Sequence, residues 1–220
     1  MPVTSLNLLE MTPVMPVVQI ISAEDAVPIA YALRQGGIAV LEVVLRTPTS
    51  LEAIRRIRTE VAGVIVGAGT VTDIGKLQAA VDAGSEFIIT PGLTPTLAEA
   101  GQSLDIPMIP GISSASDLML GLEHGYSAFK FFPAETSGGI AALQALAGPF
   151  ADITLCPTGG IGPHNLRQYL ELPFVPCVGG SWLTPDTLQR RKAWDEITEL
   201  ARQALALVNQ SNDQDAGHAK

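Results

Sequence analysis

The chain has 220 residues, of which 47% are hydrophobic and 16% charged, and its formal net charge is −9. That length suits one sizeable core or a single α/β barrel, and the composition argues for a largely folded, well-buried chain. The acidic balance speaks against nucleic acid as a partner, although a locally positive site for a small anion stays open on an acidic protein.

The opening stretch, "MPVTSLNLLEMTPVMPVVQ", has no basic start and no clean apolar core, so it does not read as a signal peptide. No apolar run reaches membrane-spanning length. The expectation is a soluble, cytoplasmic protein with no membrane partner. Residues 1–12 read as a short helix covering the floor of a barrel. Short apolar runs then alternate with amphipathic stretches. The strand candidates are "PVVQII" (16–21), "IAVLEVVL" (38–45), "VIVGAG" (64–69), "FIIT" (87–90), "PMIP" (107–110), "AFKFF" (128–132), "ITLCPT" (153–158) and "FVPCVG" (174–179). Helix candidates lie between them, for example 23–35, 49–61 and 73–84. Eight strands, each followed by a helix, predict an α/β fold: a single (β/α)8 TIM barrel over 1–208 with a short N-terminal helix. A doubly wound open sheet is the alternative, and the even spacing favours closure. Residues 209–220, "NQSNDQDAGHAK", are polar and read as a disordered tail.

Two kinds of punctuation recur. Thr47-Pro48, Thr94-Pro95 and Thr184-Pro185 each place a capping residue before a proline suited to the first helical position. Strand after strand ends in glycine: "GAGT" (67–70), "TPG" (90–92), "IPG" (109–111), "TGGI" (158–161) and "VGGS" (178–181). These glycines read either as turn residues or as places where backbone approaches a ligand. The carboxyl ends of the strands are where barrel active sites form.

Cys156 and Cys177 both sit in apolar runs and read as buried, reduced thiols rather than a disulfide framework. His124, His164 and His218 are scattered without metal-ligand spacing, so no metal site is expected.

The stretch "AFKFF" holds the sharpest anomaly, a lysine among phenylalanines. Side chains alternate across a strand, so Ala128, Lys130 and Phe132 share one face and Phe129 and Phe131 the other. An inward Lys130 would meet an environment that disfavours its charged form, and a neutral amine is what imine formation with a carbonyl requires. A structural lysine, paired with a carboxylate or reaching out of the barrel mouth, fits this stretch equally well. Glu42 interrupts another apolar run and shares a face with Val40, Val44 and Arg46. A buried Glu42–Arg46 ion pair is one reading. With Lys130 added, the set also reads as an amine for covalent catalysis, a carboxylate for proton transfer and a guanidinium for a substrate carboxylate. Thr70 adds a short hydroxyl at a strand mouth, with helix capping as its plainer role. "CPTGGIGP" and "VGGSW" close the seventh and eighth strands, where barrels commonly bind phosphate on exposed N–H groups.

In order, "LEVVLRTP", "VGAGTV", "ITPGLT", "IPGISS", "FKFFPAE", "CPTGGI" and "GGSWL" resemble the bacterial 2-keto-3-deoxy-6-phosphogluconate aldolase family, some of whose members also cleave 4-hydroxy-2-oxoglutarate. The likeness runs from about Pro16 to about Ala206. It implies that Lys130 forms a Schiff base with a 2-oxo acid and that Glu42 is the general acid and base. It implies that Arg46 and Thr70 hold the pyruvate carboxylate, and that Pro91 and Phe132 line the pocket. Thr158 would govern stereoselectivity, and Gly159, Gly160, Gly180 and Ser181 would receive the phosphate. It further implies a metal-independent lyase with no cofactor beyond the lysine imine, and a homotrimer. An aldolase acting mainly on 4-hydroxy-2-oxoglutarate, a sugar-phosphate epimerase and a non-catalytic phosphate-binding barrel are the competing readings.

Overall fold

A computed structural model describes residues 4–209, so all but the first residue of the expected polar tail lies outside the described residues. The chain opens with α1 (Ser5–Glu10), capped by the Thr4 hydroxyl on the Asn7 N–H. Parallel strands and helices then alternate: β1 (Val14–Val18), α2 (Ala26–Gln35), β2 (Val40–Val44), α3 (Ser50–Glu60), β3 (Ile65–Gly69), α4 (Ile74–Asp82), β4 (Ile88–Ile89) and α5 (Pro95–Gln102). The second half continues with β5 (Met108–Ile109), β6 (Gly111–Ile112), α6 (Ala115–Glu123), β7 (Ala128–Phe131), α7 (Gly139–Ala147), β8 (Thr154–Pro157), α8 (Leu166–Leu170) and β9 (Val178–Gly180). Helices α9 (Asp186–Arg191) and α10 (Trp194–Asn209) close the described chain.

The strands form two parallel sheets, a six-stranded one in the order β5-β4-β3-β2-β1-β9 and a three-stranded one in the order β6-β7-β8. The expected run at 107–110 is where the chain passes between them: β5 pairs with β4, and β6 pairs with β7. Pro110 sits at the break, and a proline has no N–H to give a ladder. Its carbonyl still accepts from the Lys130 N–H at 2.9 Å. At the other edge an isolated parallel bridge joins Thr158 to Gly179. The eighth strand is shorter and later than the run 174–179 suggests: β9 begins at Val178, beyond Pro176. The first lies earlier than 16–21, at Val14–Val18.

Strand alternation sorts the apolar residues into two cores. Leu41, Val43, Phe129, Phe131 and Leu155 face the helices and join Ile29, Leu33 and Ile54. The opposite face carries Met15, Val40, Ile109, Ala128, Cys156 and Cys177, closed off by Leu8 and Leu9 of α1. The placement of α1 against this inner face matches the expected floor. Both cysteines are buried and free, and burial pushes the Cys177 thiol well up, with Cys156 beside it as a further cause.

Of the three Thr-Pro pairs, only Thr94-Pro95 caps as expected, the Thr94 hydroxyl accepting from the Leu97 N–H. Thr47 instead bonds Ile20 O and Ser50 Oγ, and α3 starts later. Helix α9 has no side-chain cap. A hydroxyl with a better partner across the chain leaves the local cap unused.

Leu8 is fully buried against the inner core. Leu8→Ala should destabilise the protein by about 2–5 kcal/mol, the usual toll of a buried Leu→Ala cavity. The measurement is the denaturation midpoint; a change near zero would show that α1 is an ornament rather than part of the core.

Candidate active site

Alternation on β7 aims Lys130 to the inner face, as the phenylalanines on either side require. Glu42, on β2, arrives from the other sheet. Lys130 Nζ donates to Glu42 Oε1 at 3.0 Å and to Oε2 at 3.2 Å, across 88 residues of chain. Lys130 is 6% exposed and Glu42 1%. The carboxylate's partner is therefore Lys130. No Glu42–Arg46 ion pair forms among the described residues, and the Arg46 Nε instead donates to Thr70 Oγ1 at 3.3 Å. Strand alternation does not extend to Arg46, because β2 ends at Val44 and Arg46 lies exposed in the turn that follows, its N–H on Val44 O at 2.8 Å. Thr70 adopts a left-handed φ of 61°, which turns the chain sharply after β3.

A cavity of about 230 Å³ opens above the pair. Lys130, Arg46, Phe132, Thr158, Gly159, Gly160 and Ser181 line it, all of them expected from sequence. The Phe132 ring centroid lies 5.6 Å from Lys130 Nζ, so the ring walls the amine. A second cavity of about 300 Å³ shares Val17, Arg46 and Ser181 with the first and continues to Thr184 and Asp186.

Four expected residues stand off the cavity lining. Glu42 lies beneath Lys130, and Thr70 accepts from Arg46. Pro91 follows β4, where its backbone packs so closely that a Cβ on Gly111 would stand 2.4 Å from Pro91 C. Gly180 packs toward Trp182, whose ring would meet a Cβ there at 1.8 Å. Val17 and Ile161 line the cavity without a signal in the sequence, because a plain apolar position gives none by itself, and Gly179 of the "VGGS" motif lines it as well.

The glycines divide into two physical kinds. Gly159 and Gly160 have φ of 106° and 80°, a region that favours glycine. Gly67, Gly69 and Gly179 are there for volume. A Cβ on Gly67 would stand 2.3 Å from the Phe87 ring, and one on Gly179 would stand 2.1 Å from Thr158 Oγ1. A Cβ on Gly69 would stand 1.9 Å from Glu42 Oε1. "GAG" on β3 thus vacates the space that the Glu42 side chain fills.

Two further residues frame the glycine loop after β8. Asn165 is buried, with Oδ1 accepting from Gly162 N and Nδ2 donating to Gly160 O. Glu135 packs under Gly160 and accepts a hydrogen bond from Tyr169 Oη. Burial first, then the Glu135 hydrogen bond, pushes the Tyr169 phenol up. Among the described residues no group of histidine, cysteine and carboxylate side chains is placed to hold a metal.

A family model for KDPG and KHG aldolases matches residues 6–200. The 2-dehydro-3-deoxy-phosphogluconate aldolase of Pseudoalteromonas atlantica is 53% identical over 93% of this chain and 95% of its own. The KHG/KDPG aldolase of Escherichia coli K12 is 51% identical over 90% of this chain and 93% of its own. A crystal structure of KDPG aldolase from Legionella pneumophila, with pyruvate captured at low pH as a covalent carbinolamine intermediate, superposes with a TM-score of 0.88. It is 46% identical and covers 90% of this chain and 96% of that one. Fold and matches define an aldolase, a carbon–carbon lyase. The chain belongs to the KDPG and KHG aldolase family.

Gly69→Ala should displace the Glu42 carboxylate from Lys130 while adding one methyl group to the chain. Aldolase turnover should fall by about 10²-fold, the size associated with roughly 1 Å of misplacement at a reacting centre. Turnover close to wild type would show that the carboxylate tolerates being moved.

Proposed function

We propose that the chain cleaves 2-keto-3-deoxy-6-phosphogluconate to pyruvate and glyceraldehyde 3-phosphate as a class I aldolase, with Lys130 as the imine-forming amine and Glu42 as the acid and base. The observation that carries this reading is the buried contact of Lys130 Nζ with both Glu42 oxygens beneath an open cavity. The carbinolamine of pyruvate in the Legionella pneumophila relative supports covalent chemistry in the family.

The reaction follows from the pair. Within the contact a proton passes from Lys130 to Glu42, leaving a neutral amine and a carboxylic acid. The amine attacks the C2 ketone, and proton transfer from nitrogen to oxygen gives the carbinolamine. Glu42 protonates the departing hydroxyl, water leaves, and an iminium stands beside a carboxylate. Glu42 then takes the C4 hydroxyl proton. The C3–C4 bond breaks, its electron pair moves into the iminium, and glyceraldehyde 3-phosphate departs. Glu42 returns its proton to C3 of the enamine. Water, with Glu42 again as base, hydrolyses the iminium and frees pyruvate. No further cofactor enters this cycle.

Arg46, steadied by Thr70, is assigned the substrate carboxylate, for which a guanidinium is well suited. Phe132 and Pro91 are assigned to the pocket and Thr158 to the configuration at the new hydroxyl. Gly159, Gly160, Gly180 and Ser181 are assigned the phosphate, held by N–H groups and a hydroxyl. The two sheets are read as one closed (β/α)8 barrel occupying 1–208, joined through Pro110 and the Thr158–Gly179 bridge. The working form is read as a cytoplasmic homotrimer acting on a small 2-oxo acid. Cleavage of 4-hydroxy-2-oxoglutarate at the same site is the second reading, favoured by the KHG/KDPG name of the Escherichia coli relative.

Borohydride added with pyruvate should inactivate the protein irreversibly, with the reduced adduct on Lys130 by peptide mapping. An adduct on Lys76 or Lys192 would refute the assignment. Glu42→Gln keeps the shape and removes the base, so turnover should drop by roughly 10²–10⁴-fold, the usual contribution of a general acid–base group. A variant with near-normal kcat would reduce Glu42 to a structural partner.

A further inference from the structure

The loop 158–162 contains no lysine or arginine, so a phosphate there must be held by neutral dipoles. The direction of each peptide then decides whether the loop attracts or repels an anion. A carbonyl turned toward the phosphate would repel it, and an N–H would bind it. Three successive carbonyls of the loop are tied back into the protein. Thr158 O accepts from Ala134 N at 2.8 Å and Gly159 O from Glu135 N at 3.0 Å. Gly160 O accepts from Asn165 Nδ2 at 3.3 Å. The N–H groups of Gly160 and Ile161 engage no protein acceptor among the described residues, and both residues line the cavity.

Two of those three ties come from backbone N–H groups, which no side-chain substitution removes. Asn165 supplies the third. Its amide works at both ends: Oδ1 accepts from Gly162 N at 2.9 Å while Nδ2 donates to Gly160 O. It therefore clasps the loop on either side of Ile161. A side chain with one acceptor and one donor at the same fork is needed, and at this length only asparagine has both. The residue is 9% exposed, so solvent is poorly placed to substitute for it.

We infer that Asn165 is a positioning residue that holds the carbonyl of the Gly160–Ile161 peptide, fixes the Ile161 N–H toward the substrate phosphate, and so sets the preference for phosphorylated over unphosphorylated substrates. The inference rests on the phosphate assignment proposed above. Asn165 touches neither Lys130 nor Glu42 in any hydrogen bond, so the covalent chemistry should not depend on it.

The experiment compares kcat/KM for 2-keto-3-deoxy-6-phosphogluconate and for 4-hydroxy-2-oxoglutarate in wild type, Asn165→Ala and Asn165→Asp, with borohydride trapping of pyruvate as a control on the amine. In Asn165→Ala the phosphorylated substrate should lose about ten- to a hundredfold, mainly in KM, the worth of one hydrogen bond to a charged group. The unphosphorylated substrate and the trapping rate should stay near wild type. Asn165→Asp keeps the acceptor for Gly162 N and, when ionised, has no donor for Gly160 O. Its selective loss, taken against wild type at each pH, should shrink as the pH falls and the carboxyl regains a proton to donate. Equal losses on both substrates, no loss on either, or an Asn165→Asp defect that ignores pH would each overturn the proposal. A wild type that traps pyruvate yet shows no preference for the phosphorylated substrate would overturn the phosphate assignment itself, and this inference with it.

Discussion

The contact between Lys130 and Glu42 is the constraint around which the inner face is arranged. Each charge alone would be costly in so buried a place, and removing one partner of such a pair typically costs about 3–5 kcal/mol. The two residues come from strands of different sheets, so the pair also fixes how the sheets face each other. Making room for it requires emptiness elsewhere. Gly69 has no side chain because Glu42 fills that space. Gly111, in register with Lys130, has none because the turn after β4 packs there. What reads in sequence as a glycine-rich theme is therefore in part the imprint of neighbouring side chains and of close-packed backbone.

The pair is also suited to the proposed cycle because its net charge never changes. An ammonium beside a carboxylate, an amine beside a carboxylic acid, an iminium beside a carboxylate and an enamine beside a carboxylic acid all sum to zero. A buried site that punishes net charge thus treats these states alike, and no step has to create an uncompensated ion. A site with the lysine alone would have to bury the iminium unpaired. In the proposed assignment the permanent charge of the substrate falls elsewhere, toward the mouth, where Arg46 and Gly160 are exposed. Burial is deepest where charge cancels and least where it persists.

Much of this was legible in the sequence, for reasons specific to each element. Strand alternation in "AFKFF" separates Lys130 from Phe129 and Phe131, and the two cores of the structure repeat that division. The same rule places Glu42 inward but offers only Arg46, from its own strand run, as a partner, where the structure gives Lys130. Alternation reports which residues of one strand share a face, whereas the partner lies 88 residues away. Proline at 110 was visible, yet its consequence, a strand divided between two sheets, depends on which neighbours each half finds. Thr47-Pro48 reads as a cap because the local pattern is right; Ile20 O, 27 residues away, takes the Thr47 hydroxyl from outside the pattern.

Residues that act by holding backbone are the hardest to see in this way. Asn165 sits in "GGIGPHN", where its type suggests a turn, and nothing nearby marks it as the clasp on Gly160. Gln189 does similar work on the adjoining wall. It is buried, donates to Gln19 O and Thr184 O, and accepts from Ile21 N, so one amide joins the end of β1 to the rim of the second cavity. In both places a primary amide is chosen because the exposed backbone around it offers donors and carbonyls together, and only a group with both kinds of atom satisfies the two. A charged side chain would satisfy one and strand the other, while also imposing its charge on a mouth that must admit an anion. The neutral amides therefore let the loops be rigid without deciding the electrostatics, which are left to Arg46 and to the N–H groups the loops present.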